Sequence, residues 1–140
     1  MLTRGQITRV APNRAQSDQL LKQAEAHLRS ARMLRDTDTA GAFVLAYDAA
    51  RKALTAVLVN QGLKSRGEGV HALLAEAVGS QLASALDLSG FGWMRVTRNA
   101  TEYGSDRHPS ATAADVDEAV EMATTIHQRA GRVLDHMYPY

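Results

Sequence analysis

The amino-acid sequence predicts an all-α fold, and three observations carry that prediction. Apolar residues recur three and four positions apart in several long segments, and no run alternates apolar and polar residues as a strand does. Alanine and leucine dominate these segments while aromatic residues make up 5% of the chain, which suits close packing of helices. The loops between the segments are short, so neighbouring helices should run antiparallel in a bundle.

Size and charge set the first limits on function. The chain has 140 residues, enough for one domain with its own core. Its 16 basic and 15 acidic residues leave a net charge of +1, so attraction to nucleic acid has to come from a local patch. The absence of cysteine excludes disulfides and thiolate chemistry. No stretch has the apolar length of a signal peptide or a membrane span, so we expect a cytoplasmic protein without membrane association.

The first two helices follow from apolar periodicity. Residues 1–17 show no clear period and are expected to form an arm ahead of a single domain over residues 18–140. The first helix is predicted over residues 18–35. The second is predicted over residues 40–61, and its apolar residues cover most of the circumference, as in a central buried helix. Its N-cap candidates are Asp38 and Thr39. Its polar strip consists of Asp48, Arg51 and Lys52, in which Asp48 can pair with Lys52.

The second half of the chain contains the remaining helices. A third helix is predicted over residues 70–78, and residues 81–88 can add a helical turn. A fourth is predicted over residues 91–103 and ends at Gly104. The last helix is predicted over residues 113–137. Its capping box would consist of Thr112 and Asp115.

The fourth helix carries the candidate site, in the segment R-V-T-R-N-A-T-E-Y at 95–103. At about 100° per residue, one side of this helix displays Arg95, Arg98, Asn99 and Glu102. The opposite side consists of Trp93, Val96 and Ala100, and Tyr103 lies at the border. Arginine offers forked donors that suit phosphate, an amide can orient a phosphate oxygen, and a tyrosine ring can stack on a base. The alternative is an ordinary solvated face with an ion pair between residues 98 and 102.

Other chemistries have little support. The five histidines lack the spacing of metal ligands on one helix face, and no carboxylate joins them at such spacing. They are His27, His71, His108, His127 and His136. Gly67 and Gly69 lack the strand and lysine of a phosphate loop. We therefore expect neither a metal nor another cofactor.

A family resemblance rests on three matches. The segment F-G-W-M-R-V-T-R-N-A-T-E-Y resembles the motif helix of HEPN domains, in which an R-N pair precedes a histidine by a few residues. The segment at 46–63 resembles the second HEPN helix and its closing glycine, and V-H-A-L-L at 70–74 fits the spacing. The resemblance covers residues 18–137 and implies an antiparallel up-and-down four-helix bundle with an additional short helix.

The resemblance also implies a function and a site. HEPN proteins are usually dimers, and many are metal-independent ribonucleases in which the motif helices of two protomers face each other. It implies that Arg98 binds phosphate, that Asn99 assists beside it and that Arg95 supports the same groove. Tyr103 stands where the family histidine is expected, as in a tyrosine variant of the motif. Tyrosine ordinarily titrates near pH 10 and histidine near about 6.5, so Tyr103 is a poor general base. His108 can replace that histidine only if its loop folds back.

Three functions stay open at this point. The first is a dimeric, non-catalytic HEPN protein of a toxin–antitoxin or defence type, which binds RNA or a nucleotide at the dimer cleft through Arg95, Arg98, Asn99 and Tyr103. The second is an active metal-independent endoribonuclease toxin, with Arg98, Asn99 and Tyr103 as its catalytic residues and a nucleotidyltransferase antitoxin as its partner. The third is a plain helical dimerisation or scaffold protein.

Overall fold

The computed structural model describes residues 7–9, 13–60, 63–65, 90–104 and 107–136. The elements are β1 (Ile7–Arg9), α1 (Arg14–Leu34), α2 (Thr39–Asn60), β2 (Leu63–Ser65), α3 (Phe91–Tyr103) and α4 (Ala113–His136). The predicted all-α class is confirmed by the four helices in these ranges. The helix predicted over residues 70–78 and the turn at 81–88 lie outside the described residues. No described helix is long and apolar enough to cross a membrane.

Helix α1 begins at Arg14, four residues before the predicted start, so the last part of the predicted arm is helical. Asn13 caps the helix, because its side-chain oxygen accepts a hydrogen bond from the backbone amide of Gln16 at 2.9 Å. Ser17 is fully buried and donates to the backbone oxygen of Ala56 at 2.7 Å. This turn packs through a buried hydroxyl rather than an apolar side chain, which is why the hydrophobic period did not reveal it.

A short β-ribbon extends from the open end of the α1–α2 hairpin. Strands β1 and β2 pair antiparallel, with Ile7 opposite Ser65 and Arg9 opposite Leu63. The sequence shows no alternation of apolar and polar residues at these two places, so the strands were not predicted. Three residues are too few to show alternation, and the pairing depends on the α1–α2 hairpin, which brings the two segments together. At the same end, the amide of Asn13 donates to the backbone oxygen of Val59 at 3.3 Å.

Helix α2 is the central helix, as the sequence predicts. Asp38 caps it by accepting a hydrogen bond from the amide of Gly41 at 3.0 Å. Its many alanines let α1 and α4 approach closely, because a methyl group takes little space between two helices. The side chains with no exposed surface include Ala42, Phe43, Ala46, Tyr47, Ala49, Ala50, Ala53, Leu54, Ala56 and Val57.

The polar strip of α2 is arranged differently from the prediction. Asp48 pairs with Arg51 at 3.5 Å rather than with Lys52. The ammonium nitrogen of Lys52 instead lies 2.6 Å from Nε2 of His27 on α1. The sequence showed the spacing within α2 but not the imidazole that the neighbouring helix brings beside it.

Helix α3 packs on α2 through aromatic contacts, and α4 returns along α1. The ring centroids of Tyr47 and Phe91 are 5.5 Å apart in a stacked arrangement. Those of Phe43 and Trp93 are 5.6 Å apart, edge to face. These contacts attach the first turn of α3 to α2 and leave its later turns to form the site.

The ends of α3 and α4 match the sequence signals. Helix α3 has the predicted bounds, and Gly104 closes it with a φ of +80°, a backbone angle that favours glycine. The predicted capping box of α4 is present. The amide of Thr112 donates to Asp115 at 3.0 Å, and the amide of Asp115 donates to the Thr112 hydroxyl at 3.2 Å.

Candidate nucleic-acid interface

The buried side of α3 differs by one position from the predicted apolar side. Ala100 is buried and Trp93 packs against the core, as predicted. Val96, however, is 41% exposed, whereas the polar Thr97 is 1% exposed. Thr97 can be buried because its hydroxyl has a hydrogen-bond partner there, the ring of His108. Because Val96 is exposed in place of Thr97, its apolar side chain lies on the same surface as the motif residues.

Arg98 is held in place by four neighbouring side chains. Its Nη1 donates to Oδ1 of Asn99 at 3.1 Å, and its Nη2 lies 3.1 Å from Oε2 of Glu102. Its guanidinium carbon is 5.7 Å from the ring centroids of both Tyr47 and Tyr103, within the range of cation–π attraction. The predicted pair of Arg98 with Glu102 is therefore present, and 21% of the Arg98 side chain is exposed.

The buried phenol of Tyr47 is the second feature of the candidate site. Burial raises the pKa of Tyr47 to about 12, and the positive charges of Arg98, Arg51 and Arg95 oppose that rise. Three arginines from two helices are therefore close enough to act on the Tyr47 phenol, and Arg98 lies over its ring. Sequence reasoning missed Arg51, which it assigned only to the polar strip of α2. No local signal places that strip beside α3, because the juxtaposition depends on how the two helices are rotated against each other.

The three arginines differ in how much of their charge is compensated. Arg98 faces Glu102 at 3.1 Å, and Arg51 faces Asp48 at 3.5 Å. Arg95 is half-buried and has no ion pair or hydrogen bond with any other residue in the described part of the chain. Of these three, Arg95 has the charge most available to an incoming anion.

The loop after α3 folds back onto the helix. Nε2 of His108 lies 2.8 Å from the hydroxyl oxygen of Thr97. Three residues later, the amide of Ala111 donates to the hydroxyl of Thr101 at 2.9 Å. The two threonines are one helical turn apart, so they attach the loop at two successive points. The question that the sequence left open is thereby answered: His108 reaches the motif helix.

Helix α3 and this loop enclose an open pocket of about 420 Å³, here called the α3 pocket. It is lined by Val96, Asn99, Ala100, Tyr103, Gly104 and His108. Two predicted site residues, Asn99 and Tyr103, thus meet in one pocket. Arg98 adjoins it through the Tyr103 ring, whereas Arg95 is not among its lining residues. In the described ranges, no three histidine, aspartate or glutamate side chains are grouped so that they could hold a metal ion.

Comparison with known proteins adds the family. The family model of the HEPN domain matches residues 17–133, which include all of α2 and α3 and most of α1 and α4. No curated protein and no solved structure matches the chain. HEPN domains commonly dimerise, and the family match indicates an RNA-binding or nuclease-type function. The resemblance inferred from the motif helix is confirmed, and the chain belongs to the HEPN domain family.

Proposed function

We propose that this protein binds RNA or a nucleotide through the motif face of α3, as a dimeric, non-catalytic HEPN protein of a toxin–antitoxin or defence type. The observation that carries the proposal is the placement of one arginine, Arg98, beside an exposed aromatic ring. Arg98 lies 5.7 Å from the Tyr103 ring centroid, and that ring is on a side chain that is 75% exposed. Phosphate and base are recognised by these two kinds of group.

Charge supports an anionic ligand, although weakly for one protomer. Three arginines and two carboxylates leave one net positive charge around Tyr47. Two protomers that meet with their α3 faces together would double that charge in a single cleft. The site at a dimer cleft is therefore part of the proposal, and Arg95 and Arg98 are its phosphate-binding residues.

The non-catalytic form follows from position 103. Tyr103 stands where the family pattern has a histidine, and a phenol accepts a proton less readily than an imidazole does. Tyr103 can donate a hydrogen bond to phosphate and can stack on a base. It is therefore assigned to binding together with Asn99.

A binding assay tests the proposal. Fluorescence anisotropy with a labelled single-stranded RNA of about 20 nucleotides, in EDTA, should show saturable binding. Arg95→Ala and Arg98→Ala should each weaken it about tenfold, since each removes a phosphate contact. Arg29→Ala is the matched control, because Arg29 also forms an i,i+4 ion pair, with Glu25 at 3.4 Å. Absence of RNA binding, combined with a weaker dimer in Arg98→Ala, would support the scaffold alternative instead.

The position of His108 favours a second candidate, a metal-independent ribonuclease. A neutral imidazole in the α3 pocket can take the proton of an RNA 2′-hydroxyl. The resulting oxygen attacks the adjacent phosphorus and the P–O5′ bond breaks. The leaving 5′-oxygen takes a proton from water, so the product ends are a 2′,3′-cyclic phosphate and a 5′-hydroxyl. Arg98 and Arg95 would stabilise the charge that develops on phosphate.

Product analysis distinguishes the two candidates. RNA incubated in EDTA at high protein concentration should yield cyclic phosphate ends by mass spectrometry if the protein is a nuclease. His108→Ala should abolish cleavage, whereas His136→Ala, an exposed histidine on α4, should not. Intact RNA after prolonged incubation would eliminate this candidate and leave RNA binding unaffected.

The toxin form includes a nucleotidyltransferase antitoxin as its partner. Tyr103 would be the residue that such a partner modifies, because its side chain is 75% exposed and adjoins the candidate site. Co-expression with a neighbouring nucleotidyltransferase should add one nucleotide mass to the intact protein. An unchanged mass, or an addition that persists in Tyr103→Phe, would contradict this assignment.

A further inference from the structure

We propose that the α3 pocket takes one unpaired nucleobase of single-stranded RNA, which stacks on Tyr103 and is hydrogen-bonded at its edge by Asn99. This inference rests on the proposed function and adds a base subsite beside the phosphate-binding arginines. The pocket, the exposed apolar surface in it and the orientation of one amide support it.

The apolar surface of the pocket is unusually exposed. Three large hydrophobic side chains are exposed in the described part of the chain, namely Met33, Val96 and Tyr103. Two of them, Val96 at 41% and Tyr103 at 75%, line the same pocket. Ala100 lies between them and is 4% exposed. A flat apolar ligand that covers this surface would remove it from water, which is favourable in proportion to the area covered.

Arg98 lies beside the Tyr103 ring. Its guanidinium carbon is 5.7 Å from the ring centroid, and Arg98 itself contacts Asn99 and Glu102. Cation–π attraction favours this placement of the ring, and it puts a cation near the phosphate of a nucleotide that stacks there.

The orientation of the Asn99 amide indicates which of its groups would bind the edge of the base. Oδ1 of Asn99 accepts a hydrogen bond from Arg98, so its amide NH2 group is directed elsewhere and can donate. Asn99 also lines the pocket, where His108 stands as a second polar group. Every nucleobase has carbonyl or ring-nitrogen acceptors, so an NH2 donor tolerates all four bases. Purines should bind more tightly because they offer a larger surface for stacking.

Charge and shape favour a nucleobase over other occupants. The pocket is open, small and mostly apolar, with an amide and an imidazole among its lining residues and a cation beside the aromatic ring. This combination fits a flat heterocycle attached to an anionic chain. A second copy of the chain is the other occupant to consider, and the experiment below separates the two.

The test compares RNAs that differ only in their bases. Three oligonucleotides of about ten residues are used: oligo(A), oligo(U) and an abasic ribose-phosphate oligomer of equal charge. Wild-type protein should bind the abasic oligomer roughly fivefold to a hundredfold more weakly than oligo(A). Tyr103→Ala should remove that difference, whereas Tyr103→Phe, which keeps the ring, should retain it. Both substitutions are at an exposed position, and a thermal melt of each variant checks that it folds.

Each outcome of this test is decisive. Equal binding of oligo(A) and the abasic oligomer would overturn the base subsite and leave RNA binding by the arginines in place. Failure of every oligomer to bind would overturn both proposals. If Tyr103→Ala halves the mass measured by light scattering and keeps the preference for bases, the pocket is an interface between two copies instead.

Discussion

The seam between α1 and α4 differs from the seam between α3 and the following loop in the groups that hold it together. Across the first, Arg14 contacts Asp135 at 2.7 Å and Arg35 contacts Asp117 at 2.7 Å. The two bridges lie at opposite ends of antiparallel helices. Arg35 binds both oxygens of Asp117, the second at 2.9 Å. All four side chains are at least 36% exposed, so water competes for each contact.

The second seam is held by hydroxyl groups that are less exposed to water than the charged groups of the first. Thr97, at 1% exposure, bonds to the ring of His108, and Thr101 accepts the amide hydrogen of Ala111. A buried polar group that loses its partner keeps its desolvation cost, whereas an exposed charge is rehydrated. The hydrogen bonds of the loop should therefore matter more to stability than the charged bridges of the outer helices.

The largest expected effect is that of Thr97→Val. The substitution keeps the shape of the side chain and removes one hydrogen-bond partner of His108, so the free energy of unfolding should fall by about 1 to 2 kcal/mol. Urea denaturation measures this change, and histidine NMR signals report the changed surroundings of His108. Thr55→Val is the matched control, since among the described residues the Thr55 hydroxyl bonds to the backbone oxygen of Arg51 on its own helix. An equal loss in both variants would show that the tether contributes nothing specific.

A smaller effect is expected from Arg35→Ala. Loss of the two contacts to Asp117 should lower the free energy of unfolding by less than Thr97→Val does, because water competes for both exposed partners. RNA affinity should not change. A double-mutant cycle with Asp117→Asn isolates the bridge. A loss greater than that of Thr97→Val would reverse the proposed order of the two seams.

Glu102→Gln should affect binding rather than folding. It removes the carboxylate that occupies Nη2 of Arg98, so the guanidinium becomes more available to phosphate and RNA affinity should rise roughly two- to fivefold. Glu25→Gln provides the control, because it removes the same charge from the pair with Arg29. Weaker RNA binding in Glu102→Gln would mean that Glu102 positions Arg98 rather than competing for it.

The smallest expected effect is a pH dependence at His27. Burial, assisted by the positive charge of Lys52, lowers the pKa of His27 below its ordinary value of 6.5. The unfolded chain then binds the proton more readily, so His27 should make the protein less stable as pH falls below about 6.5, until the folded pKa is reached. Protonation also removes the acceptor for Lys52. In denaturation curves at about pH 7.5 and about pH 5, His27→Gln should lose less stability than the wild type. Equal losses would exclude this contribution.

The helices were predictable where their signals are local. The bounds of α3 and the capping box of α4 follow from glycine, threonine and aspartate at defined positions along the chain. The start of α1 was not predictable from periodicity, because Ser17 is buried through a hydrogen bond to a different helix. The two short strands were not predicted for a related reason, since their pairing requires the helical hairpin that brings them together.

The candidate site was predictable only in part. The spacing in 95–103 and the family resemblance placed Arg95, Arg98, Asn99 and Tyr103 together on one helix, and their role in binding stays a proposal. The contribution of Arg51 could not be seen, because it depends on the rotation of α2 against α3.

By itself, the sequence determined the helical class, the family and the order of the motif residues, because helix periodicity and capping act over a few neighbouring positions. Tertiary structure alone decided which side of α3 is exposed and what stands beside it. Thr97, rather than Val96, lies on the buried side because its hydroxyl forms a hydrogen bond with the ring of His108 in the loop. That contact joins residues 11 positions apart. The α3 pocket is lined by both Val96 and His108, because Val96 is exposed and the loop brings His108 to the helix.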